Sequence, residues 1–573
     1  MSMRNISSPQ KDGEETEWCR PRGGGLPRHA TLLKDPTTLF ASPDLRCIND
    51  MPTAVDLGIH ELAAAGILVD QQPTWLIPAV RDLERLRTMP GSVGVGDVRP
   101  LLVRLFLRDS GIYAIASCLS PLCSLLLTPF LTRHLSARDY GMLTLLTTTL
   151  ALLGPLAQLG LGSAFVRLYH QQVSGLCERH ALLTTLTLLV ATFSLCVAVL
   201  LAILAPELSC LLLHGVDGVP LLRLAALQLF LQNMGIPAFT WLRARGRAAA
   251  FVALSLLNLL LTPALTFLFV GVWQWGDAGV VLATCGGCAG ALLGSLTLFN
   301  YRVRWRVSWP LARHLLIYGL STLPAACSVW VLQLADRYFL LAFGTLAQTA
   351  SYSIAYTLGN ILGPLVITPF SLAWYSALHA LARQTRAREL FGLVFRWYCI
   401  ALLVMVFGVS LLANDILRLF FPPSYTLAAP IVPLIALSNV FFGLFEFFNL
   451  GIVLRGKLRF NLLLLPLAAL INLGGNCLLV PAFGGIGAAG ATLLAYVFLA
   501  LLACLVNQHL YPVPLDLALC AAGLLLGGLY YALYQWLLPL DQPLFHCLAT
   551  ASLIACYALS LWLLSLPGGR KRK

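Results

Sequence analysis

The side chains able to do chemistry are few, and most lie inside long apolar runs. Asp336 and Arg337 are neighbours in one such run, and Glu446 sits in Phe441-Phe-Gly-Leu-Phe-Glu446-Phe-Phe-Asn449 with no basic residue beside it. Arg167, Arg133 and Arg223 stand near the ends of other runs, and amides recur at Gln158, Gln228, Gln232, Asn233, Gln333 and Asn360. A guanidinium binds oxyanions. A carboxylate in apolar surroundings takes a proton or a cation, and an amide both donates and accepts hydrogen bonds. An ionisable group at the centre of a membrane helix costs about 2.5–3.5 kcal/mol on insertion scales, so each needs a partner or a wet cavity. Structural readings stand beside these. Arg337, Arg133 and Arg223 can snorkel to a membrane surface, Asp336 can cap a helix, and Arg167 can be a side marker. Glu446 and the amides can bond a neighbouring helix. Gln228 and Gln232, four apart, are expected on one helix face.

Enzymatic signals are missing. No G-x-x-x-x-G-K-[ST] occurs, so this chain is not expected to consume ATP. The acids Glu207, Asp217, Asp277, Asp415 and Asp541 are scattered among short connections rather than paired. Cys285 and Cys288 form a CxxC, but it lies among Gly286, Gly290 and Gly294, a spacing that serves close helix packing. The other cysteines lie mostly within spans and act as small apolar residues. An enzyme is disfavoured, and no metal or cofactor is expected.

The elements that must position these groups are membrane helices. The chain has 573 residues, of which 58% are hydrophobic and 11% charged, with a mean hydropathy of +0.80. So few charges cannot cover a soluble surface. The apolar residues come in blocks of about 20, the length a helix needs to cross a bilayer. Fourteen segments are expected: 111–131, 142–164, 181–205, 221–242, 250–272, 278–299, 315–341, 350–375, 390–413, 427–453, 460–480, 484–506, 516–537 and 544–566. The backbone must satisfy itself in lipid, and the alternation of a barrel is missing, so the fold class is all-α integral membrane.

Residues 1–110 are polar and rich in Pro, Gly and charge, with a short amphipathic stretch between Leu57 and Met89. They are expected to form a cytoplasmic tail with little fixed structure. No signal-peptide pattern is visible, and Met89 is an alternative start of translation. Alternate connections hold nearly all the loop arginines and lysines, among them Arg179, Arg245, Arg304, Arg313, Arg386, Lys457 and Arg570 to Lys573. The opposite side holds Arg133, Arg138 and Arg418. Basic residues stay inside, so both termini are expected in the cytoplasm. The net charge of +13 is thereby a topology signal and does not point to nucleic acid.

Two halves echo one another. Arg245-Gly246-Arg247 is followed 33 residues after Gly246 by Gly279-Val-Val-Leu-Ala283-Thr284, and Arg455-Gly456-Lys457 is followed 31 residues after Gly456 by Gly487-Ala-Ala-Gly-Ala491-Thr492. Leu153-Gly154-Pro155-Leu156 also matches Leu362-Gly363-Pro364-Leu365. A duplication of six helices predicts lobes at 111–299 and 300–510, related by a pseudo-two-fold axis along the membrane normal. Two further helices at 511–566 and a basic tail at 567–573 complete the expected organisation.

Several words resemble the bacterial polysaccharide flippases, O-antigen type, of the multidrug, oligosaccharidyl-lipid and polysaccharide exporter superfamily. They are Leu127-Thr-Pro-Phe-Leu-Thr-Arg133 running to Tyr140-Gly141, Gly160-Leu-Gly-Ser-Ala-Phe-Val-Arg167, Ala335-Asp336-Arg337 with Tyr352-Ser-Ile-Ala-Tyr356, and Asn476 through Thr492. The resemblance covers about residues 105–510 and implies alternating-access flipping of an undecaprenyl-diphosphate-linked oligosaccharide across the bacterial inner membrane. It implies lipid-linked oligosaccharide and membrane lipids as partners, with a polysaccharide polymerase and chain-length machinery as further ones. On this reading Arg167, Arg337, Arg133 and Arg223 are candidates for the diphosphate. Asp336 and Glu446 are candidates for counter-ion or for coupling to a proton or sodium ion, and Gln158, Gln228, Gln232, Asn233, Gln333 and Asn360 for sugar. A cation-coupled multidrug exporter and a peptidoglycan-precursor lipid flippase remain open as alternatives.

Overall fold

In lipid, a backbone that bonds to itself along one segment is a helix, and no strand occurs among the described residues. The computed structural model describes residues 123–171, 176–213, 218–299, 307–537 and 543–565. The expected tail 1–110, the first half of the first segment, Arg302, Arg304, Arg306, Asp217, Asp541 and the tail 567–573 lie outside them.

The first half of the chain contains α1 (residues 123–134), α2 (Ala137–Gln158), α3 (Leu161–Gln171), α4 (Leu176–Ile203), α5 (Ala205–Leu213), α6 (Val219–Met234), α7 (Ile236–Ala244), α8 (Ala248–Thr266) and α9 (Gly276–Phe299). The second contains α10 (Trp309–Leu320), α11 (Leu323–Leu334), α12 (Asp336–Phe343), α13 (Leu346–Gly359), α14 (Thr368–Ala382), α15 (Ala387–Phe420), α16 (Ile431–Leu454) and α17 (Asn461–Leu510). Last come α18 (Leu517–Leu537) and α19 (Pro543–Ser565). Twelve helical stretches among the described residues are long and apolar enough to cross a membrane.

One of these is two segments. A straight helix would separate Asn472 from Thr492 by about 30 Å, yet Asn472 Nδ2 donates to Thr492 Oγ1 at 3.4 Å. The chain doubles back at Gly484, whose φ of +54° suits glycine. With α1 as the described end of the first segment, the order agrees with the fourteen expected.

Several segments are interrupted near Pro155, Pro324 and Pro364, helix-breaking residues whose presence in the sequence allows a kink. The second runs as α2 and α3, interrupted at Leu159 and Gly160 with φ of 49° and 64°. The seventh is α10, α11 and α12. Pro324 cannot donate to residue 320 and its ring crowds that carbonyl, and the Thr322 hydroxyl donates to Gly319 O at 2.8 Å. The eighth passes from α13 through the wide turn Gly363–Ile367, which holds Pro364, into α14.

The echo between halves reaches backbone geometry. Gly246 and Gly456 both have positive φ, 68° and 62°. After the first, Arg247 N donates to Leu242 O at 3.0 Å, and after the second Lys457 N donates to Ile452 O at 2.9 Å. The glycine N–H groups bond Arg243 O and Val453 O at 3.1 and 3.0 Å. Each is a Schellman turn.

Leu145, Leu229 and Val281 belong to a buried cluster drawn mainly from the first half, joined by Leu341 of α12 and Leu346 of α13, while Trp374, Phe447 and Leu499 belong to one built on α11 and α14 to α17. The seventh segment belongs to both sides. Leu315 of α10 is buried with Phe165, Leu186 and Trp241 of the first half, whereas α11 and α12 pack on α17. The last two helices rest on α15 through Phe407, Tyr534 and Tyr557. Small residues bring α8 against α9: a Cβ on Gly286 would meet Leu265, and one on Gly287 would overlap Thr262 Oγ1. Outward-facing residues such as Leu478 and Leu525 are about three-quarters exposed, as a lipid-facing surface requires.

Candidate functional site

Asp336 opens α12 and Arg337 follows it, so their side chains leave the same end of the helix. They pair at 2.9 Å, with 1% and 5% of their surfaces exposed. The same guanidinium nitrogen donates to Gln333 O at 2.8 Å. Tyr352 of α13 donates its hydroxyl to the second Asp336 oxygen. The Arg337 guanidinium carbon lies 4.5 Å from the Tyr356 ring centroid and 5.8 Å from that of Tyr352, within range of cation–π attraction. Tyr496 of α17 reaches both Tyr356 and Gln333, and Tyr140 of α2 packs against the cluster that holds Tyr352 and Tyr356.

The pair therefore sits where the two halves meet. Beside it, Tyr338 and Thr149 hydroxyls are 2.7 Å apart and Trp330 Nε1 donates to Thr148 O at 3.1 Å. A side chain on Gly141 of α2 would overlap the Leu346 carbonyl of α13. Arg133 Nη2 donates to Leu419 O at 3.4 Å, joining the ends of α1 and α15 on the side away from the basic loops. On the basic side α10 meets the break of the second segment, since a Cβ on Gly319 would overlap Leu159 O.

Glu446 is buried inside the second half, 1% exposed. Tyr375 and Ser371 of α14 donate to its Oε2 at 3.2 and 3.4 Å. Its Oε1, the Tyr398 hydroxyl and Asn449 Oδ1 have no hydrogen-bond partner among the described residues. The carboxyl thus has hydroxyl neighbours, in place of the Asn or Gln partner its sequence context left open.

Arg167 is half-buried on the basic side. Its Nε donates to Gln171 Oε1 at 3.1 Å, and its guanidinium carbon lies 4.6 Å from the Tyr318 ring centroid. Tyr318 and Arg337 are separated by about 28 Å of helical path at 1.5 Å per residue, so Arg167 and Arg337 are not brought together. Arg223 and Arg133 are exposed.

Gln158 donates to Asn233 Oδ1 at 2.8 Å, and Asn233 to Ser194 Oγ at 3.0 Å, which bridges α2, α6 and α4. Gln228 is buried but Gln232 is exposed, although they are four apart. Gln333 joins the Arg337 group through its carbonyl and its reach to Tyr496. Asn360 ends α13, its N–H donating to Tyr356 O at 2.8 Å and its carbonyl accepting from Gly363 N at 3.0 Å.

The tyrosines around Asp336 and Arg337 are the part of the site that the sequence reading left without a role. Tyr352 and Tyr356 were visible as a four-residue repeat, a spacing that puts both rings on one helix face. The hydroxyls around Glu446 had no such signal.

The family described as polysaccharide biosynthesis protein matches residues 130–430. Among solved structures, the chain is similar to lipid II flippase MurJ in an inward closed conformation, with a TM-score of 0.63, 14% identity, and coverage of 80% of this chain and 97% of that one. It is also similar to a multidrug resistance MATE family transporter of the MOP superfamily in an inward-facing conformation, with a TM-score of 0.56, 15% identity, and coverage of 69% and 94%. At such identities the likeness is one of fold. No curated protein matches the sequence.

Proposed function

Because the chain belongs to the polysaccharide biosynthesis protein family, we propose that it is a flippase carrying undecaprenyl-diphosphate-linked oligosaccharide across the bacterial inner membrane, with both termini in the cytoplasm. The observation that carries the proposal is the buried Asp336–Arg337 pair at the contact of the two halves. A guanidinium held there is neutralised while the site is empty. Arriving diphosphate offers it several oxygens, and charge-assisted bonds to phosphate replace the single bond to Asp336. Asp336 then keeps the Tyr352 hydroxyl or takes a proton. Alternating access requires opening the Gly141–Leu346 contact between α2 and α13.

Arg167 receives the headgroup on the basic side, and Arg133 and Arg223 stand where it leaves. Gln232, exposed on α6, and Gln333 beside Arg337 are the best placed amides for sugar. Glu446 supplies coupling by exchanging a proton or sodium ion at its unpartnered oxygen. Polysaccharide polymerase and chain-length machinery are the proteins that would take the product.

The test is transport in vesicles. The purified chain is reconstituted with a fluorescent lipid-linked oligosaccharide, and label protected from a membrane-impermeant quencher is followed in time. The parent is expected to exchange label between leaflets, and Arg337→Lys, which keeps charge but loses the planar fork, to slow it. Equal rates for parent and an Arg167→Gln, Arg337→Lys double variant would remove the site assignment. Transport of a cationic dye with no movement of the lipid would favour drug export, and faster movement of a peptidoglycan-precursor lipid would favour that substrate.

A further inference from the structure

Two thiols outside this site lie almost at bonding distance. Cys399 is on α15, Cys520 is in the first turn of α18, and their sulfur atoms are 3.0 Å apart. Both are free thiols. A disulfide requires about 2.05 Å, so an approach of about 1 Å closes the gap.

Their placement follows from a second contact next to them. Arg396 Nη2 donates to Asp516 Oδ2 at 3.0 Å, and its Nη1 to Ser565 O at the end of α19 at 2.9 Å. Asp516 Oδ1 accepts from Leu519 N at 3.3 Å, tying it to the start of α18. Cys399 is three residues beyond Arg396 and Cys520 four beyond Asp516, so each thiol lies one turn further on the face that carries the ion pair. The two helices are held in register by one contact while the next brings sulfur to sulfur. Exposure is asymmetric: Cys399 is 1% exposed, whereas Cys520 is half-buried.

We propose that Cys399 and Cys520 form a reversible redox pair whose disulfide fastens the last two helices to the second half of the protein. The oxidant is a hydroperoxide. Cys520 thiolate attacks its outer oxygen, the O–O bond breaks, and an alkoxide leaves to become the alcohol, giving Cys520 sulfenic acid. Cys399 sulfur then attacks the sulfenic sulfur, and hydroxide leaves, taking the Cys399 proton as water. In sum, two thiols and one hydroperoxide give a disulfide, an alcohol and water, and a dithiol reductant reverses the change. In a reducing compartment such disulfides are transient and serve redox sensing.

The experiment uses the full chain in detergent, treated with hydrogen peroxide, alkylated, digested and mapped by mass spectrometry without reduction. The Cys399–Cys520 linked peptide is expected at least tenfold above any other cysteine pair, and dithiothreitol is expected to abolish it. In Cys399→Ser, dimedone should label Cys520; in Cys520→Ser, Cys399 should stay unmodified at the same dose. A parent protein in which other cysteines oxidise while this peptide is missing overturns the proposal, and so does equal oxidation of Cys399 with and without Cys520. The mapping of the parent decides the matter even where a serine variant fails to fold.

Discussion

Neutralising Asp336 should damage the fold far more than removing both charges together. In Asp336→Asn the acceptor for Tyr352 survives, but Arg337 is left 5% exposed without its counter-charge. Breaking a buried pair from one side costs about 3–5 kcal/mol, because an uncompensated charge stays behind. Arg337→Gln leaves the carboxylate with the Tyr352 hydroxyl, and its cost should fall at the lower end of that range. The Asp336→Asn, Arg337→Gln double variant is neutral again, so the uncompensated buried charge that sets the cost of each single variant is gone. Its loss should therefore be smaller than the sum of the singles, and smaller than that of Asp336→Asn alone. Thermal unfolding of the four detergent-purified proteins, followed by tryptophan fluorescence, gives the order of midpoints: parent, double, Arg337→Gln, Asp336→Asn. Additive losses would refute the pairing, and a wild-type midpoint for Asp336→Asn would refute its burial. The double variant should still fail to move lipid-linked sugar, which separates stability from transport.

Three further outcomes follow from contacts already described. Gly246→Ala and Gly456→Ala should each lower stability by about 1 kcal/mol, the cost of placing a Cβ in left-handed backbone, and by similar amounts, as unfolding midpoints would record. Asp516→Asn removes an ion pair whose side chains are 31% and 33% exposed, so its effect should stay below about 1 kcal/mol; Arg396→Ala also loses the Ser565 carbonyl and should cost more, read as faster proteolysis of α18 and α19. Gly319→Leu, which drives a side chain into the Leu159 carbonyl, should part α10 from the break of the second segment, so that a thiol reagent labels an introduced Thr322→Cys faster than in the parent glycine background.

The transmembrane segments and the turns at the repeated words were legible because both are local patterns. Hydropathy over about 20 residues marks a crossing, and Arg-Gly-Arg and Arg-Gly-Lys carry the glycine that their turns require. The repeat runs further than the matched words: Gly276 and Gly484, each three residues before Gly279 and Gly487, both adopt positive φ, but their flanking residues share nothing that would align them. Pro155, Pro324 and Pro364 are legible as kinks, but that the helix stops outright at Leu159, Ser321 and Asn360 was not, because prolines in membrane helices are often accommodated without a break. Gln228 and Gln232 show another limit, since a shared helix face does not impose equal burial. The surroundings of Arg337 come from α2, α13 and α17, up to 197 positions away, and no window of sequence joins Tyr140 to it.

The seventh segment ties these observations to mechanics. Its first portion, α10, is embedded in one half through Leu315 and through Ser308 N, which donates to Thr185 Oγ1 at 3.2 Å, while α11 and α12 are embedded in the other. Only Ser321 and Thr322 lie between. Two bodies joined by a tether of that length have almost no freedom to slide or part; they are left with rotation about the joint. In a rotation about that joint the width of the opening is set by lever arm and angle, and Arg337, more than a dozen residues up the lever, would sweep through a larger arc than anything beside the joint.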